Sequence, residues 1–125
     1  MQTILIVDDE PVIRTLLEVV LHRAGFAVLT AGCGCEAISI SQSHRGEIAL
    51  LITDITLPGM TGWTLARELI QAEPDMPVLF MSGGCVGASF EDYEHSEFLP
   101  KPFALSTLLL EVHHLLTERD PHNVS

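Results

Sequence analysis

Three aspartates and one lysine are the side chains of this sequence best suited to chemistry. Asp8 and Asp9 are adjacent, Asp54 lies near the middle of the chain, and Lys101 is the only lysine among 125 residues. Prolines stand on both sides of Lys101, an unusual setting for a lysine that serves solubility alone. Carboxylates can bind a hard cation or act as nucleophiles, and an ammonium group can neutralise an anion.

Apolar runs precede these polar residues and predict the strands that position them. Runs without polar alternation are typical of strands covered on both faces, as in parallel sheets. The five runs are Ile4–Val7, Phe26–Leu29, Ile48–Ile52, Val78–Met81 and Phe98–Leu99.

Helical patterns lie between the runs. Apolar residues at helical spacing extend from Ile13 to Ala24 and predict a helix. Asp9 can cap the start of this helix, and Gly25 can end it. Further helices are predicted at 35–44, 62–72 and 105–116, and a weak one from Gly83 to Ser96, where three early glycines disfavour helix. Five alternations of strand and helix predict one α/β domain, a (βα)5 unit whose parallel sheet has helices on both faces.

The carboxyl ends of parallel strands meet at one edge of the sheet, and that edge should carry the site. The polar residues expected there are Asp8, Asp9, Asp54, Ser82 and Lys101. Two carboxylates about 4 Å apart repel by roughly 4 kcal/mol at an effective dielectric constant of about 20. A proton or a cation must therefore offset them, and hard oxygen ligands favour Mg²⁺, which can in turn bind phosphate oxygens.

Each motif alone has a simpler explanation. Asp8 and Asp9, shortly before a proline, could simply cap a helix. Asp54 could simply open a turn, and Ser82 before two glycines could belong to a loop. The convergence of five polar groups on one edge favours a functional site over all of these together.

Composition excludes several classes of protein. Lys and Arg total 6 against 17 Asp and Glu, for a net charge of −11, which argues against direct nucleic-acid binding. No apolar run is long enough to span a membrane, and no basic segment marks a signal peptide. Three cysteines without a disulfide or zinc pattern indicate reduced thiols, so we expect a cytoplasmic protein.

Four segments resemble the receiver domain of two-component response regulators, the CheY-like family. The segments are I-L-I-V-D-D-E-P (4–11), L-L-I-T-D-I-T-L-P-G-M-T-G (50–62), V-L-F-M-S-G (78–83) and F-L-P-K-P-F (98–103). The resemblance covers roughly residues 2–118. It implies a flavodoxin-like, doubly wound sheet of strand order 2-1-3-4-5. We expect a receiver domain at 1–120 and a tail at 121–125.

The resemblance also implies roles for individual residues. Asp54 would accept the phosphoryl group, and Asp9, Asp54 and the backbone carbonyl of Thr56 would bind Mg²⁺, with Asp8 acting mainly through bound water. Lys101 would contact a phosphoryl oxygen and precede a cis proline, Pro102. Ser82 and Phe98 would be the switch pair that alters the face formed by the fourth helix, fifth strand and fifth helix.

The implied partners are a histidine kinase or a histidine phosphotransfer protein as donor, and a downstream protein of unknown identity. The same output face could also form a homodimer. Such a domain catalyses its own phosphorylation without being a turnover enzyme. Alternatives are a receiver excised from a hybrid sensor histidine kinase, a Mg²⁺-dependent phosphohydrolase of small molecules, and a binding module that is never phosphorylated.

Departures from the common pattern concern the stability of the product. Thr56 and Gly84 occupy positions where family members often carry acids or amides that orient a hydrolytic water. Phe98 replaces the commoner tyrosine, and Leu57 replaces a frequent methionine. Because neither Thr56 nor Gly84 brings an acid or amide, we expect slow loss of phosphate from Asp54; Leu57 should have little effect, and Phe98 concerns the output.

Overall fold

The computed structural model describes residues 1–83 and 95–119. The strands are β1 (Thr3–Val7), β2 (Ala27–Ala31), β3 (Ile48–Asp54), β4 (Thr56–Leu57), β5 (Met60–Thr61), β6 (Val78–Ser82) and β7 (Ser96–Pro100). The helices are α1 (Pro11–Arg23), α2 (Gly34–Ser43), α3 (Gly62–Ala72) and α4 (Leu105–Arg119). None of these four helices is long and apolar enough to cross a bilayer. Most of the weak helix predicted from Gly83 to Ser96, including Gly84 and Cys85, lies outside the described residues, as does the predicted tail.

Five strands form one parallel sheet in the order β2-β1-β3-β6-β7. Counted as the five predicted strands, this is the order 2-1-3-4-5, and the predicted α/β fold is confirmed. Alternation along β1 explains the two covered faces, because successive side chains of a strand point to opposite sides. Ile4 and Ile6 pack in a cluster with residues of α1 and α4, whereas Leu5 and Val7 pack in a second cluster with residues of α2 and α3.

The structure corrects the predictions made for Phe26 and Asp9. Phe26 precedes β2 instead of starting it, and its ring packs against the His113 ring at a centroid distance of 5.7 Å. Phe26 is apolar because it packs in the core beneath α1 and α4. The sequence pattern cannot distinguish such a residue from the first residue of a buried strand. Asp9 does not cap α1, because Glu10 occupies the N-cap position.

A small antiparallel hairpin, β4–β5, follows β3 directly and was not predicted. Thr56 pairs with Thr61 and Leu57 with Met60. Proline followed by glycine forms the turn, and Gly59 has a φ of 80°, a conformation that glycine adopts without steric cost. The hairpin leads straight into α3, where the Thr61 hydroxyl accepts a hydrogen bond from the Thr64 amide.

Candidate functional site

The polar residues predicted to meet lie at the carboxyl ends of four neighbouring strands. Asp8 follows β1, Asp54 ends β3, Ser82 ends β6, and Lys101 follows β7. These strands are consecutive in the sheet, so their ends form one edge. Among the described residues, Asp8, Asp9 and Asp54 each bring one carboxylate oxygen to a group in which these three atoms lie within 4.8 Å of one another.

Lys101 joins two of these carboxylates. Its Nζ donates to Asp8 Oδ2 at 2.9 Å and to Asp54 Oδ2 at 3.0 Å. Asp8 is fully buried, and the side chain of Lys101 is 17% exposed. Burial alone would lower the pKa of Lys101, but the hydrogen bonds and charges of Asp8 and Asp54 outweigh it and raise this pKa above 10.5. The ammonium form is therefore strongly favoured.

Backbone amides fix the other oxygen of each carboxylate that Lys101 contacts. The Glu10 amide donates to Asp8 Oδ1 at 2.9 Å, and the Thr56 amide donates to Asp54 Oδ1 at 3.2 Å. Each aspartate is thus held between a backbone donor and the ammonium group. Asp9 differs, since its side chain is exposed at the mouth of the cluster.

The charges of the cluster formed by Asp8, Asp9, Asp54 and Lys101 do not cancel. Three carboxylates and one ammonium leave a formal charge of −2. Lys101 therefore offsets part of the repulsion that the sequence led us to expect, and a further cation would offset the rest. Carboxylate oxygens are hard ligands, so this donor set fits a small divalent cation such as Mg²⁺.

Ser82 and Phe98 lie on adjacent strands beside the cluster. Ser82 is buried at the end of β6, and its carbonyl oxygen accepts a hydrogen bond from the Lys101 amide at 2.8 Å. Phe98 is half-buried and packs on the sheet face covered by α2 and α3. The peptide bond between Lys101 and Pro102 is cis, as expected from the resemblance.

Two residues at this edge were missed by the sequence analysis. Arg14 on α1 donates from Nη1 to the carbonyl oxygen of Asp8 at 2.6 Å. Gly62 begins α3 so close to β3 that an added Cβ would overlap the carbonyl oxygen of Asp54. An arginine on a helix and a glycine after a turn are ordinary in sequence, and only the fold gives them these neighbours.

Known proteins share both the sequence and the fold. Residues 4–113 match the family model described as response regulator receiver domain. Sensor kinase CckA of Brucella abortus is 35% identical over 94% of this chain, which spans 13% of CckA. Response regulator receiver protein CpdR of the same organism is 32% identical, with 93% of this chain and 98% of CpdR covered.

A solved structure agrees over a similar length. The response regulator receiver domain protein from Clostridium thermocellum has a TM-score of 0.87 and 25% identity, covering 95% of this chain and 97% of that one. The family match extends over most of the chain and reaches all five strands of the large sheet. The chain therefore belongs to the response regulator receiver domain family and is a signalling receiver domain.

Proposed function

We propose that Asp54 is the phosphoryl acceptor of this receiver domain. The observation that carries the proposal is the double contact of Lys101 with Asp8 and Asp54 inside a cluster of three carboxylates. Asp54 is held from two sides, so its carboxylate is oriented before a donor arrives. The half-buried ammonium of Lys101 beside it supplies positive charge where phosphoryl oxygens would lie.

Receiver domains generally bind Mg²⁺ at an acidic pocket, and the residues here fit that ion. Asp9 and Asp54 would bind it directly, together with the backbone carbonyl of Thr56, and Asp8 would act mainly through bound water. When bound, the ion supplies charge neutralisation of the phosphoryl oxygens. Asp9 is suited to direct ligation because it is exposed and lacks the ammonium contact that engages Asp8 and Asp54.

The transfer step forms one bond and breaks another. A carboxylate oxygen of Asp54 bonds to phosphorus in line with the P–N bond of a donor phosphohistidine. The electron pair of the P–N bond passes to the imidazole nitrogen, and the proton on the other ring nitrogen keeps the leaving imidazole neutral. The product is an acyl phosphate on Asp54, whose oxygens Lys101 contacts.

Ser82 and Phe98 would convert this local change into a change of surface. The phosphoryl group adds about 1.5 to 2 negative charges at the edge of the sheet. The Ser82 hydroxyl is drawn toward the new oxygens, and Phe98 moves inward into the space that it leaves. The affected face includes β7 and α4, together with the weak helix predicted from Gly83 to Ser96.

The proposed partners follow from the chemistry of transfer. Receiver domains interact with histidine kinases or phosphotransfer proteins, and we infer that one of these donates to Asp54. A downstream protein, or a second copy, would bind the altered face. We assign residues 1–120 to the receiver domain and 121–125 to a tail, and we place the domain in the cytoplasm with such kinases. The domain catalyses its own phosphorylation and has no turnover activity of its own.

Phosphorylation of Asp54 can be tested by intact-mass measurement. The protein is incubated with acetyl phosphate and Mg²⁺, and we expect one added phosphoryl group. Asp54→Asn should abolish the addition, whereas Asp75→Asn, a matched change at an exposed acid remote in sequence, should leave it intact. Phosphorylation that persists in Asp54→Asn would refute the assignment.

A further inference from the structure

Strand β2 lies at one edge of the sheet and has an unpaired side. The Ala27 amide donates to the Gln2 carbonyl at 2.9 Å, and the Ala31 carbonyl accepts from the Asp8 amide at 3.1 Å. In a strand, alternate residues direct their backbone groups to the same neighbour. Val28 and Thr30 therefore direct their N–H and C=O groups to the open side, where β2 pairs with nothing in the part of the chain that the structure describes.

This edge lacks the features that usually prevent pairing between molecules. Edge strands are commonly protected by charged side chains, proline or bulges. The opposite edge, β7, contains Glu97 and Pro100. β2 has the sequence Ala-Val-Leu-Thr-Ala, with no charge and no proline, and pairs in regular register with β1 along its whole length. The two edges of one sheet thus differ in how they are protected.

An apolar groove borders the same strand on the side covered by α1. Its lining includes Met1, Val19, Ala27 and Val28, and Glu18 and His22 are the polar residues beside them. Met1 is 91% exposed and Val19 is 44% exposed. Strand β2 therefore shares this groove with two exposed apolar side chains, Met1 and Val19.

We propose that β2 pairs antiparallel with β2 of a second copy of this chain, about a two-fold axis at Leu29. In this register Val28 of one copy lies opposite Thr30 of the other, and both residues already direct their donor and acceptor outward. Directly opposite residues of this kind exchange two hydrogen bonds, so the pair of strands forms four. The result is a continuous ten-stranded sheet.

The register itself favours a second copy as the occupant. A two-fold interface requires a patch that is complementary to itself, and the outward groups of Val28 and Thr30 are placed symmetrically about Leu29. Val28 packs in the cluster on the α1 face and Leu29 in the cluster on the α2 face. Pairing would therefore place Val28 beside Thr30 on one face and the two Leu29 side chains together on the other, both favourable cross-strand contacts.

Each chain carries a net charge of −11, but little of that charge lies at this contact. The paired strands contribute no charged side chain. Each copy brings one carboxylate, Glu18, and one imidazole, His22, to the bordering groove. With His22 counted neutral, the groove carries one negative charge per copy, and the paired strands themselves carry none. The inference does not depend on phosphorylation of Asp54.

Sedimentation equilibrium over a wide range of protein concentration tests the proposal. We expect a reversible dimer for the full chain and for Thr30→Val, which keeps the outward N–H. Thr30→Pro removes that donor from each copy while leaving the bonds to β1, so the dimer dissociation constant should rise about tenfold or more. Circular dichroism checks that this variant is folded. A monomer at all concentrations would overturn the proposal.

Two further measurements keep the result decisive if Thr30→Pro does not fold. In the unmodified chain, amide hydrogen exchange at Val28 and Thr30 should slow as concentration rises, and concentration-independent exchange at both would count against pairing. Leu110→Lys changes a residue of α4 that is 70% exposed. Loss of the dimer in this variant, with exchange at Val28 and Thr30 of the unmodified chain independent of concentration, would assign the interface to α4 and refute the β2 interface.

Discussion

At the residue scale, Lys101 explains how three carboxylates can lie together in a folded protein. Its ammonium contacts Asp8 and Asp54 at hydrogen-bonding distance, so the two most buried charges of the group share one cation. Asp9, which is exposed, is hydrated and needs compensation least. The same arrangement that stabilises the unphosphorylated protein also holds a positive charge beside the proposed acceptor.

Lys101→Met should lower the free energy of unfolding in metal-free buffer by about 1 to 3 kcal/mol, because it leaves the buried carboxylate of Asp8 without a cation. Urea denaturation measures the loss. The folded protein raises the pKa of Lys101, so this contribution is complete below the ordinary lysine value of 10.5 and declines as pH rises through the raised pKa.

The Asp8→Asn background is the control for that measurement. Without the buried charge, Lys101→Met should cost less, and the double-mutant cycle gives the coupling between the two residues. Equal losses in both backgrounds would show that Lys101 stabilises the fold by packing alone.

Thr56 sets the expected lifetime of the phosphoryl group. Its side chain is exposed two residues after Asp54 and brings neither a carboxylate nor an amide to orient water. Thr56→Asn should therefore accelerate loss of phosphate several-fold, whereas Thr56→Val should not. The decay of phosphorylated protein, followed by intact mass, measures both rates. An unchanged rate in Thr56→Asn would remove this residue from the explanation.

At the element scale, the strands of the large sheet could be predicted from the sequence because each is a run of apolar residues without polar alternation. β3 is the strongest example, since all seven of its residues are buried. The β4–β5 hairpin could not be predicted in this way. Its strands have two residues each, too few for any periodicity, and only Pro58 and Gly59 marked the turn.

The site was predictable only through the elements. Asp8, Asp54 and Lys101 are far apart in the chain, and their meeting follows from the parallel order of the strands that they end. The contacts within the site required the structure, because sequence spacing cannot show that Lys101 bonds to Asp8 as well as Asp54. Arg14 escaped notice for the same reason, as its bond to the Asp8 carbonyl depends on how α1 packs on the sheet.

The junction between the hairpin and α3 needs a glycine at position 62. The Gly62 amide donates to the Ile55 carbonyl at 2.7 Å, and an added Cβ would overlap the Asp54 carbonyl. Gly62→Ala should lower the free energy of unfolding by about 1 to 3 kcal/mol, because backbone must move to admit the methyl group. Urea denaturation measures this change.

Gly83→Ala is the matched control. Gly83 lies just after β6, and the nearest atom to an added Cβ is Lys101 Cβ at 3.9 Å, an ordinary van der Waals contact. We expect a change within about 0.5 kcal/mol there. If Gly62→Ala were equally mild, the close approach of α3 to β3 would not be a constraint on the site.

At the scale of the whole molecule, the negative charge at the acidic edge should link the stability of the fold to the binding of a cation. The chain carries a net charge of −11, and the cluster retains a formal charge of −2 after Lys101 is counted. An ion that binds only the folded protein stabilises it by mass action. Mg²⁺ should therefore raise the free energy of unfolding, by about 2.7 kcal/mol at a concentration about a hundredfold above its dissociation constant.

Asp9→Asn separates this effect from general screening of charge. The substitution reduces the negative charge of the cluster, so stability in the presence of a chelator should stay equal or rise, while the increment produced by Mg²⁺ should fall sharply. Asp75→Asn removes an exposed carboxylate remote in sequence and should preserve the increment. Thermal unfolding with and without Mg²⁺ at constant ionic strength measures both. A full increment in Asp9→Asn would mean that the ion binds without this carboxylate, and the proposed ligand set would then need to be revised around Asp54 and Asp8.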